Sequence, residues 1–163
     1  GSEMCIRDRN RLIIADIAPI NYINDNQNII DTLFNLDLTL VRNRNHADEL
    51  LSNEIEQKFL RSFLLQNIKF NDGKYKWSIN LTSIKNTMNN LRSFPKIDKN
   101  NKVDTKSLCI YGQKSDYVNE YHFHIFKNYF SNILFHKIKN AGHFLHIENP
   151  DEFYEVSKNF FKD

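Results

Sequence analysis

The chain has 163 residues, 40% hydrophobic and 26% charged, with 22 basic against 20 acidic side chains and a formal net charge of +2. This composition excludes a disordered, collagen-like or disulfide-framed protein and fits one ordinary domain, which would bury roughly 70% of the surface its unfolded chain exposes. The signs of charge are interspersed, which argues against nucleic acid as a partner, and no run reaches the ~18 apolar residues of a membrane span.

Residues 1–9 lack periodicity and read as a disordered or non-native tail, the run Glu3-Met4-Cys5-Ile6-Arg7-Asp8 resembling the translated end of a sequencing adaptor. Leu12-Ile13-Ile14-Ala15, broken by Asp16 and Pro19, predicts a strand buried on both faces, as in parallel sheets. Asn24 to Asn35 sets Ile29, Ile30, Leu33 and Phe34 on one helical stripe, and Asn45 with Asp48 marks a second helix start. A third helix is expected from about Glu54 to Asn67, with Ile55, Phe59 and Phe63 facing the core. Around Asn71-Asp72-Gly73 a turn joins two short extended pieces, and Leu81, Ile84, Met88 and Leu91 form a short helix ending before Phe94-Pro95.

Lys96 to Lys106 reads as a polar loop, after which the rhythm changes. Ser107 to Tyr111 predicts a buried strand, Asn119 to Phe130 a helix carrying Tyr121, Ile125 and Tyr129, and Ile133 to Ile138 a further strand. Asn149, Pro150 and Glu152 resemble a capping box that opens a final helix with Phe153, Val156 and Phe160 on its apolar face. Strand, helix, strand, helix in this order is the pattern of an α/β fold with crossovers on a parallel sheet.

Ligands of open α/β sheets bind beyond the carboxyl ends of the strands. Asp16, the run Gly112-Gln113-Lys114-Ser115-Asp116, and His143 fall at three such ends. A carboxylate directly after an apolar strand needs partners, which could be backbone N–H groups around Ile17 or a histidine that becomes cationic during proton transfer. Cys5 and Cys109 fit neither zinc nor redox spacing and point to a reducing, cytoplasmic setting. Neither His122 with His124 nor His143 with His146 makes a convincing ligand set, so no metal and no cofactor is expected.

Three segments together resemble the C-terminal half of an α/β-hydrolase, most of all the small YbfF-type esterases and their mitochondrial abhydrolase relatives. They are Ile-Ile-Ala-Asp-Ile-Ala-Pro with Asp16, Tyr-Gly-Gln-Lys-Ser-Asp-Tyr-Val with Ser115, and Ala-Gly-His-Phe-Leu-His-Ile-Glu-Asn-Pro with His143. The resemblance implies a partial α/β-hydrolase domain over residues 10–163, with three parallel strands, crossover helices and an inserted helical cap at about 40–95. It implies His143 as general base, Asp16 as acid with Asp116 as the alternative, and Ser115 as an auxiliary hydrogen-bonding group. Trp77 and Phe144 would line the acyl site, although packing of Trp77 within the cap explains it equally well.

The family's nucleophile sits in Gly-x-Ser-x-Gly, a pattern that Gly1, Gly73, Gly112 and Gly142 cannot form. The expectation is therefore the C-terminal fragment of a serine-type esterase acting on a small acyl ester or thioester. It would supply base and acid, have the missing N-terminal half of its own fold as partner, and be inactive alone. Two alternatives remain open: a non-enzymatic α/β interaction module, or a fragment of a related dehalogenase, epoxide hydrolase or C–C hydrolase.

Overall fold

A computed structural model describes residues 10–22, 27–98 and 100–162. The tail at 1–9 and the first residues of the helix expected from Asn24 lie outside them. The chain divides into two compact units, one of residues 1–20 and 95–163, the other Asn21–Phe94. Among the described residues no helix is long and apolar enough to cross a membrane.

The first unit is built on a parallel sheet of β1 (Arg11–Ala15), β4 (Lys106–Gly112) and β5 (Ile133–Ile138), in the order β1-β4-β5. Ala15 pairs with Ile110, and Gly112 with Ile138, so the carboxyl ends of the three strands lie at one rim. From Ser107 to Gly112 every residue of β4 is buried, because the strand has a layer on each face. Leu108 and Ile110 join Ile138, Ala141, Leu145 and Phe160 in a core that Phe153 and Val156 complete. These last three aromatic and aliphatic side chains come from α7 (Pro150–Lys162), the helix whose apolar face the 3–4 spacing specifies. Away from that core, Phe123 of α5 (Phe123–Tyr129) stacks on Phe135 at 3.8 Å and Phe126 meets the same ring edge-on at 5.5 Å.

Several expectations change here. Leu12, Ile13 and Ile14 are only half-buried, since among the described residues β1 pairs on one side alone, with β4. The predicted helix at 119–130 opens as a single 3-10 turn, Glu120–His122, which leaves Tyr121 83% exposed and gives the core position to Phe126. At the start of α7, Asn149 accepts the Glu152 N–H at 3.4 Å as a cap should. The Glu152 carboxylate, however, takes the Asn149 side-chain amide at 2.8 Å, while the Asn149 N–H goes to Leu145 O. Only half of the capping box forms.

The second unit takes in α1 (Gln27–Asn35), ahead of the expected cap start at about residue 40, then α2 (Arg44–Leu51), α3 (Lys58–Leu64), the hairpin β2 (Ile68–Asn71) and β3 (Lys74–Trp77), and α4 (Leu81–Arg92). Its core is Leu33, Val41, Ala47, Leu51, Leu65, Ile68 and Leu81, with Tyr75, Trp77 and Ile79 packed against it. Asp72 and Gly73 both have positive φ (52° and 77°), the backbone that a two-residue hairpin turn requires. Asn43, not Asn45, caps α2 by accepting the His46 N–H at 2.9 Å. The stripe Ile55, Phe59, Phe63 is broken because α3 begins only at Lys58: Ile55 is buried ahead of the helix, Phe59 and Phe63 are exposed, and Arg61 turns inward. Arg61 makes a two-pronged contact with Asp48 (2.8 and 3.0 Å) and donates to the carbonyls of Ile55 and Glu56 (2.7 and 2.8 Å). That tie between α2 and the segment entering α3 fixes the phase that the apolar pattern alone assigned differently.

Candidate active site

The ladder between β1 and β4 runs one residue beyond β1, with the Asp16 N–H on Ile110 O at 2.8 Å, and the chain then bends through a left-handed residue, Asp16 itself (φ 47°). This bend carries the Asp16 side chain over the end of β4, where it is fully buried. Its Oδ1 accepts the Gly112 N–H at 3.1 Å, and its Oδ2 accepts both the Ser115 hydroxyl and His143 Nδ1, the latter at 2.9 Å. Three donors around one carboxylate offset the cost of removing that charge from water.

Ser115 stands in the turn after β4, held by its N–H on Gly112 O at 3.2 Å, and its Oγ accepts the Tyr117 N–H at 3.1 Å. His143 comes from the loop after β5. That loop is fastened to the turn after β4 by the Lys114 N–H on Ala141 O (2.8 Å) and by the Asn140 N–H on the Gln113 side chain (3.1 Å). Gly112 makes the close approach possible, for a Cβ there would lie 2.2 Å from Gly142 O and 2.6 Å from Ala141 O. Here the absence of a side chain is a packing requirement.

A carboxylate accepts hydrogen bonds, so His143 Nδ1 donates toward Asp16 and Nε2 is the ring nitrogen left to exchange a proton. Among the described residues Nε2 has no hydrogen-bond partner, and the side chain is about one-third exposed (36%). Tyr117 stacks on one face of the imidazole, with ring centres 4.0 Å apart and planes at 23°, and Phe144 meets it edge-on at 5.3 Å. The arrangement is an oriented imidazole with one accessible nitrogen and a carboxylate placed to stabilise its protonated form.

Asp16, Ser115, His143 and Phe144 are thus brought together, whereas Asp116 is exposed and has no hydrogen-bond or ion-pair partner among the described residues. Trp77 belongs to the other unit, where it packs on the core around Leu33 and Ile68. Sequence reasoning overlooked Tyr117, which lies within the quoted Ser115 segment, and Glu148, whose carboxylate accepts the N–H groups of Gly142 at 2.8 Å and Phe144 at 3.2 Å. Neither carries a periodic signal, since one acts through ring stacking and the other through side chain to backbone contacts inside a loop. Cys109, fully buried in β4, is not part of this network; burial, with the Asp16 charge adding to it, pushes its thiol pKa up to about 12.

The sheet, its crossover helices and the loops at its rim are the C-terminal part of an α/β-hydrolase fold, and the chain has YbfF-type similarity over part of its relatives' length. It is 27% identical over 149 residues to the sn-1-specific diacylglycerol lipase ABHD11 of Danio rerio, a match covering 88% of this chain and 46% of that protein. Against esterase YbfF of Escherichia coli it is 25% identical over 154 residues, covering 94% of this chain and 58% of the esterase. Among solved structures a marine microorganism esterase matches with a TM-score of 0.86 and 32% identity, over 92% of this chain and 60% of that one. No protein-family model matches the chain. The chain therefore spans about half the length of the relatives it matches.

Proposed function

We propose that this chain supplies the acid and base of a serine-type esterase that cleaves a small acyl ester or thioester. The observation that carries the reading is the single hydrogen-bonded network of Ser115, Asp16 and His143 that leaves Nε2 of the histidine without a partner. His143 Nε2 takes the proton of a serine hydroxyl as that oxygen attacks the acyl carbon and returns it to the leaving alcohol or thiol; it then takes a proton from the water that attacks the acyl-serine and passes it to the serine oxygen as that bond breaks and the acid leaves. Asp16 keeps the imidazole in the required tautomer and balances its transient charge, and Ser115 and the Gly112 N–H hold Asp16 in place. Phe144, beside the imidazole, forms part of the acyl wall; the packing of Trp77 in its own core accounts for that residue. The names of the relatives, an esterase and a diacylglycerol lipase, both denote cleavage of carboxylic esters and support this reading.

The serine is contributed by a segment outside these 163 residues, because the sequence has no Gly-x-Ser-x-Gly. By itself the chain is then expected to turn over no ester, and hydrolysis of an activated ester that vanishes in His143→Ala would overturn that part. In an enzyme that carries the nucleophile, Asp16→Asn should lower kcat by ~10³–10⁴ through loss of the reactive tautomer, with Asp116→Asn close to the parent. A large loss from Asp116→Asn alone rejects the assignment.

A further inference from the structure

We propose that Glu148 is a positioning residue that sets the backbone of His143, an inference that rests on His143 being the general base. Glu148 ends α6 (Leu145–Glu148), a single turn directly after the histidine, and its side chain folds back along the chain. Oε2 accepts the Gly142 N–H at 2.8 Å and Oε1 the Phe144 N–H at 3.2 Å. Those two amides bracket the histidine, so the φ and ψ of both Gly142 and His143 lie between two atoms bonded to one carboxylate. The bond to Phe144 alone is the ordinary work of a side chain reaching back to the start of its own helix. The bond to Gly142 goes past the helix to the far side of the catalytic position, and capping does not call for it.

The glycine belongs to the same device. A Cβ on residue 142 would stand 3.2 and 3.3 Å from the two carboxylate oxygens, so the bare backbone lets Glu148 settle against the chain. On the opposite side the loop is pressed to β4, where Gly112 leaves no room for a Cβ beneath Gly142 O. The segment from Ala141 to Phe144 is gripped between the end of β4 and the Glu148 carboxylate. His143 Nδ1 must reach Oδ2 of Asp16, which is itself immobile in the interior, and a drift of the loop by a few tenths of an ångström would lengthen that 2.9 Å contact.

Glu148→Gln keeps the shape and one acceptor oxygen but presents a donor to the second N–H; Glu148→Ala removes both acceptors. With the imidazole labelled with ¹⁵N in the 163-residue chain, the unaltered protein should show a low-field, slowly exchanging His143 Nδ1–H resonance. Glu148→Ala should speed its exchange with water ~10-fold or more, as loss of hydrogen bonds to a charged acceptor implies, and Glu148→Gln should fall between. Absence of the resonance from the unaltered chain would refute the pairing of Asp16 with His143, and with it the general-base reading. Its presence there, with unchanged exchange in both variants, would refute the role of Glu148 and leave that reading standing. Should Glu148→Ala fail to fold, Glu148→Gln and the backbone amides of the unaltered chain decide: Gly142 and Phe144 N–H exchanging as fast as unprotected amides overturns the proposal.

Discussion

The tightest geometric demand in the first unit is at Gly112, and it converts into a stability prediction. Gly112→Ala would place a Cβ 2.2 Å from Gly142 O, 2.6 Å from Ala141 O and 2.8 Å from the Gly142 carbonyl carbon. All three are backbone atoms, so no rotamer change relieves the contact, and the loop must retreat by about 0.8 Å merely to restore 3.0 Å to the nearest. Overpacking of this kind costs about 1–3 kcal/mol. The retreat also pulls on the Lys114 N–H bond to Ala141 O and on the Gly112 N–H bond to the buried Asp16 carboxylate, adding about 1.5 kcal/mol. Alanine narrows the unfolded ensemble and offsets less than ~1 kcal/mol. The net loss is about 1.5–4 kcal/mol, read by urea unfolding followed by far-UV circular dichroism. Two other glycines calibrate the assay. At Gly73 a Cβ meets nothing within 4 Å, so alanine costs only its left-handed backbone, about 1–2 kcal/mol. At Gly142 the obstacle is the Glu148 side chain, which can swing away. The reasoning is wrong if Gly112→Ala unfolds within about 0.5 kcal/mol of the parent, or if Gly142→Ala proves the more damaging of the pair.

Two further outcomes follow from the charge environment. The hydrogen bonds from Arg61 hold the Asp48 carboxyl below its ordinary value of 3.8, so the folded state binds that proton less readily than the unfolded one. Its contribution is fully present above that ordinary value and lost as pH falls through the lower, folded one, so Arg61→Ala should lower stability at neutral pH and flatten the decline below about pH 4. Parallel acid-unfolding curves for parent and variant would contradict this. Cys109, with its thiol pushed up to about 12 by burial, should be thiolate to about one part in ten thousand at pH 8 and inert to a disulfide reagent until the chain unfolds. In a Cys5→Ser background, labelling of the native chain at the rate of a free cysteine would show that reasoning to be mistaken.

What the sequence revealed and what it concealed divide along a physical line. β4, β5 and α7 were legible because burial on one face or two leaves an alternating, continuous or 3–4 apolar pattern, and the hairpin was legible because Asp72-Gly73 supplies the backbone it needs. α3 was misread because its inward residue is Arg61, satisfied by a carboxylate and two carbonyls, and hydrophobic periodicity has no term for a buried cation. The exposed Tyr121 and buried Phe126 reflect the same limit, since a 3-10 turn at Glu120–His122 shifts the phase of every later residue. At the site, the rim rule located Asp16, Ser115 and His143 because strand ends can be found from pattern. Glu148 and Tyr117 were missed because their partners are backbone amides and a ring face whose positions exist only once the loop has folded.

Asp16 illustrates how a local cost can separate a functional residue from a structural one. Among the described residues three non-glycine positions have left-handed backbones, Asp16, Asp72 and Asn140, at φ of 47°, 52° and 59°. Asp72 and Asn140 are exposed in turns, where a short polar residue tolerates this conformation and where glycine would serve as well. Asp16 combines the same backbone with complete burial of a carboxylate, two costs at one position. Glycine would relieve the backbone and leave the Gly112 N–H and the Ser115 hydroxyl without an acceptor. Asparagine would suit the backbone and keep one acceptor, but its amide N–H groups would confront donors at Ser115 and His143. Only an aspartate accepts from all three at this reach, and the requirement for three acceptor contacts arises from the histidine. Without His143 to orient, Gly112 and Ser115 could be satisfied by a neutral side chain, so the aspartate at position 16 is matched to the histidine, as the proposed proton transfer at Nε2 requires, rather than to the fold alone.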